Sequence, residues 1–177
     1  MTTRCGWCGS DPLYVDYHDN EWGVPVRDDQ TLFEFLILEG AQAGLSWITI
    51  LRKREGYRRA FDHFDVERIA AYDEHRLAAL AADAGIVRNR AKVDATITNA
   101  RAAVQLLDAE GDGALDRLVW SFAPPSRPRP RSLADVVAST PESQALAKAL
   151  KKAGFVFVGP TTMHAAMQAM GLVDDHL

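Results

Sequence analysis

The sequence predicts an all-α fold. Apolar residues recur at helical spacing along most of the chain, capping residues precede these runs, and only residues 155–158 have strand character. The 177 residues, 47% of them hydrophobic and 25% charged, are sufficient to bury a core. We therefore predict a single helical domain over residues 1–177.

Two helices are predicted in the first third of the chain. An apolar run follows a capping aspartate, Asp28 or Asp29, and predicts a buried helix that ends near Gly40. A second helix is expected to begin near Ser46. The short segment between them then connects two buried helices.

The middle of the chain predicts two helical regions separated by a tight turn. The first begins at Asp65, breaks near Asp73 and is expected to close at Gly85, which would serve as a left-handed cap. The second begins near Asn89 and runs to the glycine turn at 111–113. Residues 77–104 therefore suit a helix-hairpin-helix element.

The last third begins with a proline-rich segment, residues 123–131, which cannot be helical and predicts a surface loop. A helix is expected from Thr140, with proline at its first position, to Gly154. Residues 155–158 then predict a short strand, and a last helix should end at Gly171.

The predicted hairpin carries cations at alternate positions. Gly85 provides the turn, and Arg88, Arg90 and Lys92 follow it. Backbone N–H groups of such a turn can bind a DNA phosphate, with the cations supplying nearby charge. The alternative is a helical corner whose cations are only solvated. Three further cations lie in the proline-rich loop and either extend a phosphate track or are solvated: Arg127, Arg129 and Arg131.

The net charge of −4 argues at first against a nucleic-acid partner. Its distribution is uneven. Residues 1–87 hold nine Lys/Arg and fifteen Asp/Glu, a net of −6, whereas residues 88–177 hold eleven and nine, a net of +2. The hairpin cations begin the more basic half.

No apolar run reaches the roughly 20 residues that a membrane-spanning helix requires, so we expect no membrane association. The N-terminus lacks the features of a secretory signal, which predicts a cytoplasmic protein.

Cys5 and Cys8 are then expected to be thiols or metal ligands. Nothing indicates oligomerisation, and a monomer is the default.

A candidate ligand pocket is predicted near the N-terminus. Tyr14 and Tyr17 lie three residues apart, so their rings would share one face of a helical turn. Glu39 is a lone carboxylate at the end of an apolar helix, where it either caps a neighbouring amide or faces a ligand. A carboxylate beside aromatic faces suits a cationic, hydrogen-bond-donating aromatic ligand such as a charged purine.

Several motifs resemble those of the 3-methyladenine DNA glycosylase I family, in order and across essentially the whole chain. They are Cys5-Gly-Trp7, Asp11-Pro-Leu-Tyr14, the run from Tyr17 to Pro25, the run from Glu39 to Trp47, and Gly154-Phe-Val-Phe-Val-Gly159. The resemblance implies a helix-hairpin-helix DNA glycosylase fold. It also implies an enzyme that flips N3-methyladenine out of alkylated double-stranded DNA and releases it by hydrolysis.

The resemblance implies roles for individual residues. Glu39 and Tyr17 would contact the extruded base and Trp47 would stack on it. Trp7 and Tyr14 would complete the pocket, and Gly44 and Leu45 would present a wedge to the DNA. The methylated base is already cationic and leaves neutral, so general-acid help is hardly needed. Glu39, the candidate catalytic carboxylate, is assigned to base recognition, with water activation as the alternative.

The resemblance also implies a structural Zn²⁺ site that joins the two ends of the chain through Cys5, His18 and His176. The family's fourth ligand, a cysteine shortly after the second histidine, is missing because the sequence ends at Leu177. Three explanations are open. The natural tail is absent from this sequence, Cys8 replaces the missing ligand, or a carboxylate or water completes a weaker site.

Two other functions are compatible with parts of the sequence. A non-catalytic helix-hairpin-helix module would bind DNA and use the aromatic residues as core. A small-molecule enzyme acting on free cationic purines would show no salt-dependent DNA binding.

Overall fold

A computed structural model describes residues 3–177; the first two residues of the predicted domain lie outside the described residues. The described part contains nine α-helices and no β-strand, which confirms the predicted fold class. The helices are α1 (Pro12–Asn20), α2 (Asp29–Ala41), α3 (Trp47–Ala60), α4 (Val66–Ala70), α5 (Glu74–Ala81), α6 (Arg90–Glu110), α7 (Ala114–Trp120), α8 (Pro141–Lys152) and α9 (Pro160–Ala169). None of those helices is long and apolar enough to cross a membrane.

Helix α2 lies at the centre of the core. The Asp28 side chain caps it by accepting a hydrogen bond from the Thr31 amide. Its last ten residues are almost all buried, and it contacts α3, α6, α7 and α9. Because α2 is surrounded in this way, its C-terminal end lies deep in the protein.

The predicted hairpin connects α5 to α6, and the Asn89 side chain caps α6. The expectation that Gly85 would be a left-handed cap is wrong: α5 ends at Ala81, and Gly85 has no positive φ. Gly85 is instead a close-approach position. A Cβ on Gly56 of α3 would lie 2.0 Å from the Gly85 carbonyl oxygen, so the two backbones pack without side chains between them.

The expected strand at residues 155–158 is also wrong. The segment is irregular, with Phe155 and Val158 buried and Val156 and Phe157 exposed. The backbone N–H and C=O of Val156 bond to the side chain of Asn99 on α6 rather than to a neighbouring strand. A side-chain partner thus replaces the sheet pairing that the apolar run suggested.

The proline-rich loop is irregular, as predicted, but its cations are not simply solvated. Arg127 donates to a carboxylate oxygen of Asp175 at 2.9 Å, and Arg129 donates to Asp174 at 2.7 Å. These pairs fasten the loop to the C-terminal segment, which brings residues 133 and 136 next to the pocket described below.

Candidate active site

A cavity of about 220 Å³ lies where α1, the end of α2, the start of α3 and the C-terminal segment meet. Its walls are mainly aromatic. The lining residues are Trp7, Tyr14, Tyr17, Trp22, Glu39, Gln42, Trp47, Leu133, Val136, Ala165, Gln168, Asp175 and Leu177. All five residues predicted to form the ligand pocket therefore line one cavity.

Glu39 is positioned by the last turn of α2 and is only 5% exposed. Its carboxyl group has no hydrogen-bond partner among the residues that the structure describes, so the alternative in which it caps a neighbouring amide does not hold. Burial raises the pKa of Glu39 to about 8. This side chain is therefore largely protonated at neutral pH.

Two hydrogen-bond donors in the cavity wall are also unpaired. The Tyr17 hydroxyl and the Trp47 indole N–H are buried and have no partner within residues 3–177. The two rings are adjacent, with centroids 5.5 Å apart. Because buried donors are nearly always paired in folded proteins, two of them beside an unpaired carboxyl indicate a ligand that pairs with all three.

Trp7 and Tyr14 form a second aromatic wall, with ring centroids 5.1 Å apart. Trp22 packs edge-on against Trp7 at 5.0 Å and completes this wall. The sequence analysis assigns no role to Trp22. Its place within the run from Tyr17 to Pro25 was the available signal.

The cavity also has a polar side that sequence reasoning missed. Gln168 of α9 donates its amide N–H to Asp175 at 2.9 Å. Because a carboxylate only accepts, this bond sets the amide orientation and leaves the Gln168 carbonyl oxygen as an acceptor beside the cavity. Gln42 lies three residues after Glu39 and was predictable from helical spacing. No sequence feature predicts that residues 168 and 175 lie beside this cavity.

The predicted wedge occupies the short loop between α2 and α3, next to the cavity. Gly44 has a φ of +78°, and the neighbouring Leu45 side chain is 39% exposed. Lys92 donates from Nζ to the carbonyl oxygens of Ala41 and Ala43, both at 2.7 Å. The first turn of α6 is thereby tied to the wedge loop.

The three hairpin cations thus differ in their surroundings. The ammonium of Lys92 is engaged by carbonyl groups, and burial lowers its pKa. Arg90 pairs with Glu74 and Asp94 at 3.1 Å each. Arg88 is exposed and has no ion pair within the described chain. Arg88 is therefore the hairpin cation most available to a phosphate.

Behind the aromatic wall, the side chains of Cys5, His18 and His176 converge. One potential ligand atom from each lies within 4.8 Å of the other two. His18 Nδ1 lies 2.8 Å from Asp19, an arrangement that orients the other ring nitrogen toward the cluster. The rings of His18 and His176 also pack against Trp22, so this cluster supports the cavity wall. Cys8 is buried but lies outside the group.

Comparison with known proteins identifies the family of this chain. The methyladenine glycosylase family model matches residues 7–177. The chain belongs to the methyladenine glycosylase family. This confirms the resemblance found in the sequence motifs, and it is supported by both sequence relatives and solved structures.

DNA-3-methyladenine glycosylase 1 of Escherichia coli (strain K12) is 52% identical over 98% of this chain and 93% of its own length. A crystal structure of 3-methyladenine DNA glycosylase I superposes with a TM-score of 0.94 at 51% identity, covering 99% of this chain and 96% of that one. A tyrosine-to-phenylalanine variant of 3-methyladenine DNA glycosylase I, in complex with 3-methyladenine, superposes at 0.92 with 34% identity, covering 99% and 95% of the two chains.

The raised pKa of Glu39 predicts a pH-dependent gain in stability for Glu39→Gln. Between pH 4.5 and 8 the unfolded carboxyl is ionised while the folded one keeps its proton, so the wild-type chain loses stability as the pH rises. The glutamine cannot ionise. We expect similar unfolding free energies at pH 4 and a variant more stable by roughly a few kcal/mol at pH 9, measured by denaturant unfolding.

Glu110→Gln is the matched control, because Glu110 is exposed at the end of α6. Its difference from wild type should be the same at both pH values. A Glu39→Gln difference that is also constant with pH would show that Glu39 is not a desolvated carboxyl.

Proposed function

We propose that this chain is a base-excision repair glycosylase that flips N3-methyladenine out of alkylated DNA and releases it by hydrolysis. One observation carries the proposal: around one aromatic cavity, the buried polar groups of Glu39, Tyr17 and Trp47 have no hydrogen-bond partner among residues 3–177. The relatives named DNA-3-methyladenine glycosylase, and one relative's complex with 3-methyladenine, support it.

Recognition begins with charge. N3-methylated adenine is cationic within DNA, and aromatic faces attract a cation. Its approach also favours the ionised form of Glu39, because an opposite charge nearby lowers the pKa of a carboxyl group. An undamaged, neutral base supplies no such compensation. The cavity therefore binds the methylated base in preference to normal purines.

Positioning follows from the two unpaired donors and the rings. The Trp47 ring offers a stacking surface, and the donors of Tyr17 and Trp47 can pair with ring nitrogens of the base. A base in the DNA stack cannot reach a cavity of this kind, so the nucleotide must be extruded. Leu45 on the exposed wedge loop is suited to fill the gap that the base leaves.

The chemical step needs little acid catalysis. The methylated base carries a positive charge before the glycosidic bond breaks, so it departs as a neutral purine. The enzyme then contributes mainly by holding the extruded nucleotide in a water-poor cavity and stabilising the departing base. We assign base recognition to Glu39; water activation by its ionised form is the alternative.

We further propose that the protein works as a monomer in the cytoplasm. The cavity, the wedge loop and the hairpin all come from one chain, so no second copy is needed to complete the site.

We expect Glu39→Gln and Trp47→Ala each to lower the release of 3-methyladenine from methylated DNA by about 10- to 100-fold while leaving the fold intact. Loss of one hydrogen bond to a charged group, or of one stacking surface, corresponds to an effect of this order. Released base would be quantified by chromatography, with circular dichroism to verify folding and Glu110→Gln as the control.

The same assay at two salt concentrations, with DNA binding measured in parallel, separates the alternatives. A non-catalytic module would bind DNA without releasing base, and an enzyme for free purines would show no salt-dependent DNA binding. Near-normal release by both variants would contradict the pocket assignment.

We also propose that Cys5, His18 and His176 bind a structural Zn²⁺. One thiol and two imidazoles are ligands that zinc prefers, and one potential ligand atom of each lies within 4.8 Å of the other two. Bound zinc would join the N-terminal segment to the C-terminal segment behind the aromatic wall. Because Cys8 lies outside the group, the explanation in which Cys8 supplies the fourth ligand does not fit this arrangement.

Purified, undialysed protein should contain about one equivalent of zinc by elemental analysis, and His176→Ala should lose it. Removing the metal with a chelator should lower the melting temperature of wild type and leave that of His176→Ala unchanged. Less than about a tenth of an equivalent of zinc in the wild-type protein would reject the site.

A further inference from the structure

The motif Gly154–Gly159 contains an exposed aromatic residue with no role in the base pocket. Val156 is 39% exposed and Phe157 is 44% exposed, although Phe155 and Val158 on either side are buried. Phe157 is the one aromatic residue among the exposed large apolar side chains within residues 3–177. Residues 156–157 are called the apolar tip below.

The tip is held in an unfavourable conformation. Phe157 has a φ of +56°, in the left-handed region that residues with a Cβ rarely adopt. Asn99, a buried residue of α6, secures it by donating to the Val156 carbonyl at 3.0 Å and accepting from the Val156 amide at 2.7 Å. A strained residue that is held in place but contributes little to the core indicates a functional position.

The tip lies between the base pocket and the hairpin. A Cβ on Gly40, the residue after Glu39, would lie 3.4 Å from the Phe157 Cβ and carbonyl oxygen. Phe157 also shares the lining of one small cavity with Val87 and Lys92 of the hairpin. The same Lys92 is bonded to the loop that carries Leu45. The tip therefore lies beside the end of α2 and faces a cavity that it shares with the hairpin, whose Lys92 is bonded to the loop that carries Leu45.

We propose that Phe157 is a second apolar contact to the DNA, in addition to Leu45. The occupant of the tip is the duplex whose extruded base enters the cavity, and in this respect the inference rests on the proposed function. A duplex that reaches both the base pocket and the hairpin must pass the tip between them. There the Phe157 ring can pack against a base or sugar next to the extruded nucleotide, as apolar side chains do in other proteins that distort DNA.

The chemistry of this contact differs from that of the hairpin. A phenyl ring releases no counterions, so it adds affinity without adding salt dependence. This suits a surface on which two of the three hairpin cations are already engaged within the protein.

The test compares Phe157→Gly and Phe157→Asn with wild type, using a short duplex that contains an abasic-site analogue. Both replacements remove the ring and tolerate a positive φ. We expect duplex affinity to fall by about tenfold, with an unchanged slope of log affinity against log salt. The melting temperature should stay equal or rise because strain is relieved, and binding of free 3-methyladenine should be unchanged.

Val137→Ala, a change at another exposed apolar residue, is the matched control and should leave duplex affinity unchanged. Duplex affinity equal to wild type in both Phe157 variants would overturn the inference. A melting temperature that falls together with affinity would overturn it too, because the ring would then be structural. The proposed function is tested separately by the release of 3-methyladenine from methylated DNA. If wild type binds the abasic-analogue duplex but releases no base from methylated DNA, the proposed function fails, whereas the affinity comparison still decides the role of Phe157.

Discussion

The Glu39 carboxyl lies in an aromatic cavity and has no hydrogen-bond partner among residues 3–177, and the other features of the site follow from this constraint. Helix α2 is buried almost throughout, which carries its last turn into the interior. Aromatic walls then exclude water from the carboxyl and raise its pKa to about 8. The carboxyl is therefore largely protonated at neutral pH, and under the proposed function it gains a counter-charge when a cationic base enters the cavity.

Under the proposed function, this arrangement allows the enzyme to select the methylated base without a strong general acid. A neutral purine does not stabilise the ionised form of Glu39. A methylated, cationic purine does, because its positive charge lies next to the carboxylate. The cluster of Cys5, His18 and His176 supports the cavity wall, because His18 and His176 pack against Trp22. Pocket shape and electrostatics therefore depend on the joining of the two ends of the chain.

Fewer cations are available to contact DNA phosphates than the sequence suggests. Although residues 88–177 carry a net +2, the structure uses many of their cations internally. Lys92 binds carbonyls of the wedge loop, and Arg127 and Arg129 bind carboxylates of the C-terminal segment. Phosphate contacts provide affinity without information about the base, so a modest electrostatic grip is compatible with sampling many undamaged sites.

Sequence signals correctly predicted the features that depend on interactions between neighbouring residues, such as the starts of helices. Asp28, Ser46, Asn89 and Thr140 precede helices as expected. Local patterns indicated Tyr14, Tyr17 and Glu39 as pocket residues, whereas Trp7 and Trp47 followed only from the family resemblance. The polar side of the cavity could not be predicted, since it depends on long-range placement of the C-terminal segment. The strand prediction at 155–158 failed for the same reason: its backbone is bonded by Asn99, 57 residues away.

The most direct test is to measure the pKa of Glu39 by carbon-13 NMR of the labelled carboxyl group, in the free protein and with a permanently cationic purine bound, such as adenine methylated at both N3 and N9. We expect a pKa near 8 in the free protein and a clearly lower one when the cationic purine occupies the cavity. A free-protein pKa near the ordinary glutamate value, with no change on binding, would contradict it.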